Sequence, residues 1–421
     1  MKVLVIGSGG REHAICLALS KSAKVTELYC APGNGGIAQV ASCIDIKATD
    51  IPGVVNWAKE NCVDFVMVAP DDPLAMGMVD ALQAAGIKAF GPTAAAAIIE
   101  GSKAFSKELM KKYGIPTATY ETFTDMQQAL DYVEAQGAPI VVKCDGLALG
   151  KGVVVAQTVE EAKNAVINMM QNKAFGESGS TVVIEECMFG PECTVLAFTD
   201  GKTIVPMPSS QDHKRAYDGD QGPNTGGMGA ISPCPNFTPE LSELCMNTIF
   251  KPTIEALNHE GRTFKGVIYF GLMLTSEGPK VVEYNARFGD PECQALLSLL
   301  DCDLMDILEA CVDGTLAETP VKFYNGASCC LVLASGGYPV SYEKGKEICG
   351  LDQVKNATVY HAGTKQTDGK YYTNGGRVLG VTAVADTLRS AVDAAYAAAK
   401  PITFEKMHFR NDIGYHILDA K

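Results

Sequence analysis

The sequence predicts an α/β protein with an N-terminal parallel unit, a central unit and a small C-terminal unit. Three observations carry that expectation. Short apolar runs alternate with helical patterns over the first hundred residues, as a parallel sheet covered by helices requires. The 421 residues hold two to three domains at about 150 residues each. Hydrophobic residues make up 47% and charged residues 20%, ordinary values for a globular chain and too apolar for general disorder.

The elements follow in order. Residues 2–6 form a buried strand. The turn Gly7-Ser8-Gly9-Gly10 leads into a helix from Arg11 to about Ser20. Strands are expected near 25–30, 43–46 and 65–69, and helices near 52–61 and 73–85. Gly91-Pro92-Thr93 closes this unit, with a boundary near residue 100. A helix from Ser102 to about Tyr113 opens the central unit. Thr124-x-x-Gln127 and Thr158-x-x-Glu161 are capping-box patterns that start two more helices. Strands are expected at 139–143 and 152–155, and again at 181–186, 193–199 and 203–207. Residues 209–236 are rich in Gly, Pro, Asn and Asp and are expected to form a long loop. A helix near 239–258, strands near 265–274 and 280–285 and helices near 292–300 and 303–312 follow. The last unit has strands near 327–334 and 377–384 and an Ala-rich helix near 386–399.

Charge excludes some functions. The chain carries 35 basic and 49 acidic residues, a net −14. Nucleic acid and anionic membranes both call for a basic surface, so neither is an expected partner. No apolar stretch is long enough to span a bilayer. The 15 cysteines are scattered, without zinc spacing, which fits buried thiols in a reducing, cytoplasmic compartment.

Several constellations point to chemistry. Gly7-x-Gly9-Gly10 resembles a dinucleotide fingerprint, but Glu12 stands where the last glycine belongs and the ribose acid is missing. What remains is a glycine turn at a helix N-terminus, an anion site with Arg11 beside it, or a plain tight turn. Asp71 follows a strand and could hold an amine or sugar hydroxyls, or serve only as a helix N-terminal acid. Lys143-Cys144-Asp145-Gly146 through Gly150-Lys151-Gly152 is a glycine loop that can approach phosphates without being a P-loop. Glu283, Asn285 and Arg287 alternate along a strand and would share one face. A carboxylate and an amide oxygen suit Mg²⁺ bridged to phosphates. The charged and glycine-rich stretch 211–229 would be a flap over charged substrates. His13, His259, His361, His408 and His416 form no triad or metal spacing and are expected to be structural.

Gly9-Gly10-Arg11-Glu12-His13, the Lys143–Gly152 loop, Ser210 to Arg215, Gly222 to Gly229 and Arg287-Phe288-Gly289-Asp290-Pro291-Glu292 together resemble the phosphoribosylamine–glycine ligase family, from Met1 to Arg377. The resemblance implies an ATP-grasp enzyme of purine biosynthesis. It implies an N-terminal α/β domain at 1–100, an ATP-grasp domain at 101–324 with a small subdomain inserted at about 117–190, and a C-terminal α+β domain at 325–421. ATP, glycine and phosphoribosylamine would be the substrates, Mg²⁺ or Mn²⁺ the cofactor, and a monomer the working form. Carried over, Lys143, Arg287 and Asp290 would be catalytic. Lys103, Lys143, Arg215 and Asn224 would face ATP phosphates. Glu185, Glu186, Cys187 and Met188 would lie beside adenine and Glu192 on the ribose. Glu283 and Asn285 would hold the metal, and Gly9, Gly10, Arg11 and Asp71 the phosphoribosylamine. Asp71 stands where the family has Glu, and strand 266–274 lacks the second metal acid of many ATP-grasp enzymes.

Overall fold

The computed structural model describes residues 1–147, 152–174 and 176–418. Five parallel strands open the chain: β1 (Lys2–Gly7), β2 (Glu27–Pro32), β3 (Ser42–Cys43), β4 (Phe65–Val68) and β5 (Lys88–Phe90), in the order β3-β2-β1-β4-β5. Val3 to Ile6 and Phe65 to Val68 are buried on both faces, because helices cover both sides of the sheet. Those helices are α1 (Gly10–Leu19), α2 (Ile51–Glu60), α3 (Asp71–Ala75), α4 (Met78–Ala84) and α5 (Ala94–Gly101). The strand order reverses between β1 and β4, so a crevice opens beyond their carboxyl ends. Gly7–Gly10 and Asp71 stand at its rim.

Helix α6 (Lys103–Tyr113) is capped by Ser102, whose hydroxyl accepts from Phe105 N at 3.1 Å. It leads into an antiparallel sheet of β6 (Tyr120–Phe123), β7 (Ile140–Cys144), β8 (Val153–Ala156) and β9 (Val182–Glu186), ordered β6-β9-β7-β8. Helices α7 (Met126–Gln136) and α8 (Val159–Met170) close a core of its own around Val133, Val142, Val166 and Ile184. Thr158 caps α8 as its sequence predicts. The cap of α7 is Asp125 rather than Thr124, because its carboxylate accepts from Gln128 N at 2.9 Å and carries the charge a helix N-terminus favours.

The larger sheet pairs β10 (Glu192–Thr199) and β11 (Ile204–Pro206) with two later strands. Between them lie β12 (Gln211–Asp212), β13 (Arg215–Tyr217), β14 (Gln221–Asn224) and β15 (Gly229–Ser232), then α9 (Pro239–Cys245), a π-turn and α10 (Lys251–His259). Strands β16 (Gly266–Thr275) and β17 (Gly278–Asn285) complete the order β11-β10-β16-β17. The expected loop at 209–236 is therefore four short strands. They are too short and glycine-rich to carry a period, and pairing alone holds them.

Helices α11 (Glu292–Leu297) and α12 (Leu304–Asp313) precede the last unit, with β18 (Ala327–Ser335), β19 (Glu347–Ile348), β20 (Thr358–His361), β21 (Thr364–Thr367), β22 (Lys370–Thr373), β23 (Arg377–Ala385) and α13 (Leu388–Ala399). Its main sheet runs β12-β15-β18-β23-β20. A boundary at 325 would cut through it, since β15 pairs with β18 from Gly229↔Leu331 to Ser232↔Ser328. Among the described residues no helix is long and apolar enough to cross a membrane, and all fifteen cysteines are free thiols.

The first and last units meet at α1 and β20. The His361 backbone N–H donates to His13 Nδ1 at 2.8 Å. Burial, then the neighbouring His361, pushes the His13 imidazole down to about 3, and burial lowers His361 to about 4. Unfolded imidazoles take protons near pH 6.5, so between those values the unfolded chain binds more protons than the folded one. This contribution to stability is complete above pH 6.5 and is lost progressively as pH falls from there toward the folded values of about 4 and 3. Urea melts at pH 7, 5.5 and 4.5 should show stability declining toward acid. His13→Asn should flatten that decline, and an unaltered slope would mean the pair does not titrate this way.

Candidate functional site

Gly7 has φ +125°, and a Cβ there would meet Glu12 Cγ at 2.5 Å. Glu12, at the third position of α1, folds back over the turn and accepts from Gly9 N at 2.6 Å, the reciprocal half of a capping box. Arg11 Nε donates to Glu12 Oε1 at 2.6 Å and its Nη1 to Phe288 O at 3.0 Å. Arg11 is thus not the open fork the sequence suggests. It is buried and ion-paired, because the residue where a glycine was missed supplies its partner.

The Arg287–Glu292 turn lies against this loop. Asp290 Oδ2 stands 3.3 Å from where a Cβ on Gly9 would be, and Gln294 Nε2 2.5 Å from one on Gly10. Asp290 accepts from Gln294 at 2.8 Å and pairs with Arg377 at 3.4 Å. Arg287 lies beyond the end of β17. It pairs with Glu100 at 2.8 Å and Asp71 at 3.7 Å, and donates to Asn285 Oδ1 at 3.3 Å. Burial raises the Asp71 carboxyl, but Arg287 and Arg11 outweigh it and hold it below its ordinary value. Gly9, Gly10, Arg11, Asp71, Arg287 and Asp290 therefore share one rim.

A second cluster surrounds Glu185, a buried residue of β9. Its Oε2 pairs with Lys143 Nζ at 3.0 Å and Lys107 Nζ at 3.1 Å, while its buried Oε1 has no partner. Lys143 also donates to Val282 O at 3.1 Å. That carbonyl is turned out by a bulge: Gly271 faces Glu283 and Leu272 faces Val281, so Val282 is skipped. The strict alternation expected over 281–287 fails there, though Glu283 and Asn285 still share a face. Burial pushes the Lys107 ammonium down to about 8. Lys103 Nζ donates to Gly146 O at 2.8 Å, while residues 148–151 of the glycine loop lie outside the described residues. Glu186 follows and accepts from Thr119 N at 3.1 Å. Cys187 and Met188, both half-buried, continue past the end of β9.

Lys214 bridges the two sides, 3.5 Å from Glu192 and 3.3 Å from Glu283. Lys214 is the main cause that pulls the Glu283 carboxyl down to about 2, so it is ionised at any working pH. Among the described residues no group of three His, Cys, Asp or Glu could hold a metal by itself. Glu283 and Asn285 offer two hard oxygens, the partial set that Mg²⁺ takes when substrate phosphates and water complete its shell.

Arg215 and Asn224 face each other across the β13–β14 hairpin, and Arg215 Nη1 donates to Gly222 O at 2.8 Å. This hairpin is not a loose flap. Arg410, fully buried, donates to Asp220 at 2.8 Å, His408 Nε2 to Ala216 O at 2.7 Å, and Gly219 N to Asp412 at 2.8 Å. Among the described residues no hydrogen bond or ion pair joins Arg215 or Asn224 to Lys143, Glu185 or Glu283. The His416 side chain lies outside the described residues.

The sequence reading passed over one pair. Burial and the facing Glu292 push the Asp212 carboxyl well up, and burial raises Glu292. Asp212 Oδ1 is buried without a partner. A Cβ on Gly227 would stand 2.6 Å from it, and one on Gly289 would stand 2.5 Å from Glu292 Oε2. The Lys214 and Arg377 charges oppose the shift of Asp212 without outweighing it, and its orphaned Oδ1 can accept a further donor beside Glu292. Lys107, Glu100 and Arg377 also escaped notice, since their partners lie far away in sequence.

Residues 1–100, 101–293 and 328–416 match the N domain, the ATP-grasp (A) domain and the C domain of phosphoribosylglycinamide synthetase. The chain is 50% identical over 415 residues to the phosphoribosylamine–glycine ligase of Halalkalibacterium halodurans, covering 98% of this chain and 96% of that one. It is 48% identical over 423 residues to that of Vibrio parahaemolyticus, covering 99% of each. The crystal structure of the phosphoribosylamine–glycine ligase of Thermotoga maritima superposes with a TM-score of 0.86 at 32% identity, over 98% of this chain and all of that one. A biotin carboxylase domain of Hydrogenobacter thermophilus, crystallised with MgADP, is 18% identical at a TM-score of 0.76 over 96% of this chain and 91% of that one and shares the fold.

Proposed function

Since the chain belongs to the phosphoribosylamine–glycine ligase family and joins glycine to 5-phosphoribosylamine at the expense of ATP, we propose how its residues divide that work. The glycine carboxylate attacks the γ-phosphorus and ADP leaves, giving glycyl phosphate. The amine of phosphoribosylamine then attacks the acyl carbon, phosphate leaves and a proton is released, giving glycinamide ribonucleotide. No enzyme nucleophile is needed, so positioning and electrostatics carry the rate.

Lys143 and Lys103 hold ATP phosphates in this reading. Glu185, Glu186, Cys187 and Met188 border adenine, with the free Glu185 Oε1 as an acceptor for an exocyclic amine. Glu192 takes ribose hydroxyls, and Arg215 and Asn224 serve the phosphate end. Glu283 and Asn285 hold Mg²⁺ or Mn²⁺, which would neutralise phosphate charge. Gly9, Gly10, Arg11 and Asp71 line the phosphoribosylamine pocket, with Arg287 and Asp290 between it and the metal. Domains at 1–100, 101–324 with an insert near 117–190, and 325–421 follow from the same reading, except that β12 and β15 are lent to the last sheet. Free thiols throughout support a cytoplasmic location, and one chain supplies every group, so a monomer suffices. The carrying observation is the Arg287–Glu292 turn, which starts at the strand that carries Glu283 and Asn285 and ends against Gly9 and Gly10. ADP release should require ATP, metal and glycine, and should become stoichiometric with product only when phosphoribosylamine is added. Turnover with another amine and carboxylate pair, and none with these, would overturn the assignment.

The Asp212–Glu292 pair fits the glycine ammonium. That cation sits two bonds from the carboxyl carbon, and while it stays protonated it has no lone pair, which leaves the phosphoribosylamine nitrogen as the nucleophile. Asp212→Asn should raise the glycine KM about 10-fold or more, the worth of a hydrogen bond to a charged group, and leave the ATP KM unchanged. Equal shifts for both substrates would place the pair elsewhere.

A further inference from the structure

We propose that His13 is a positioning residue: its Nδ1, by accepting the His361 backbone N–H, sets the Ser8–Arg11 turn against the C-terminal sheet and so shapes the phosphoribosylamine pocket. The inference rests on the reading that this turn takes phosphoribosylamine. Three residues, Asn34, Gly36 and Gly10, locate the seam besides the 2.8 Å bond. Asn34 Nδ2 donates both to Ser8 O and to His361 O, each at 2.8 Å. A Cβ on Gly36 would stand 2.4 Å from the His361 ring, so the ring lies flush on that loop. A Cβ on Gly10 would meet Ala362 Cβ at 3.6 Å. The seam continues into the site, because Gly363 N donates to Arg377 O at 2.9 Å and Arg377 Nη1 to Asp290 O at 2.5 Å. The N-terminal turn and Asp290 are thus referenced to one strand pair.

An imidazole can play this part only while neutral. Nδ1 must keep its lone pair to accept, which places the ring proton on Nε2. Burial ensures neutrality, since the ring is held at about 3. A protonated ring would set donor against donor. His13 and His361 are packed with two further titratable groups, Tyr360 edge-on to His13 and Tyr371 against His361.

Two isosteres separate position from bulk. The Asn side-chain oxygen can stand where Nδ1 stands, whereas the Gln amide reaches to where Nε2 stands. In the full chain, His13→Gln should raise the phosphoribosylamine KM about 10-fold, a typical worth of one buried hydrogen bond, with the ATP and glycine KM within about 2-fold. His13→Asn should restore near-wild-type values. Should His13→Gln fold poorly, Asn34→Asp keeps the acceptor for Gly36 N and Ile37 N, replaces the bridging donor with a carboxylate oxygen set against the Ser8 and His361 carbonyls, and should show the same selective KM shift. Gln and Asn behaving alike, or all three KM values and kcat moving together with Tm, would overturn the proposal. Arg11→Ala is the control for the underlying reading. If it leaves the phosphoribosylamine KM unchanged, the turn is not that pocket. If it raises this KM while His13→Gln does not, only the role of His13 falls.

Discussion

Lys143→Met should lower kcat by about 100-fold or more while the protein stays folded. One electrostatic donor aimed at charge developing in a transition state is worth on the order of 3 kcal/mol. The change is mild for the fold because methionine fills nearly the same volume. Lys143 is buried on β7 between Val142 and Cys144. Its loss does not strand the Glu185 carboxylate, since Lys107 stays 3.1 Å away. The Val282 carbonyl loses its donor, but a bulge carbonyl beside a substrate cavity can take water. Single-turnover ADP release, with a thermal melt of the same sample, checks both halves. Near-wild-type turnover would remove Lys143 from the phosphate site. A collapsed melt would make its role structural.

The fold was legible where each strand has one environment. Val3–Ile6 and Phe65–Val68 are buried on both faces, so their apolar runs announce a parallel sheet. Legibility failed where pairing rather than pattern makes the strand. Gly229–Ser232 is four residues long and owes its place to β18. The hairpin of β21 and β22 left a signal that went unread: Asp368-Gly369 with φ of 51° and 76° between Thr367 and Lys370, the dipeptide that tight hairpins favour. At the site, Glu283 and Asn285 could be placed by alternation. The Val282 bulge could not, because it arises from register with Gly271, where a Cβ would stand 3.0 Å from Glu283 Cγ. Arg11 was misjudged for a similar reason. Its charge was visible, but its pairing with Glu12 depends on a helix start that only the folded turn fixes.

Glu283→Gln should raise the Mg²⁺ concentration for half-maximal activity sharply and lower kcat about 100-fold at limiting metal. A neutral amide is a far poorer ligand for a hard cation than a carboxylate. Only Asn285 would remain as a protein ligand on that face, and it is shared with Arg287 Nη2 at 3.3 Å. Substitution also frees Lys214, which then has Glu192 as its remaining ion-pair partner among the described residues, so a cation is left facing the place a metal would occupy. Both effects act in the same direction. Because Lys214 pulls the Glu283 carboxyl down to about 2, protonation of this group does not compete with metal between pH 6 and 9. The variant curve should be displaced at every pH by the same factor. Titrating Mg²⁺ against ADP release at fixed ATP measures both. A variant curve that overlays the wild type would place the metal on other ligands.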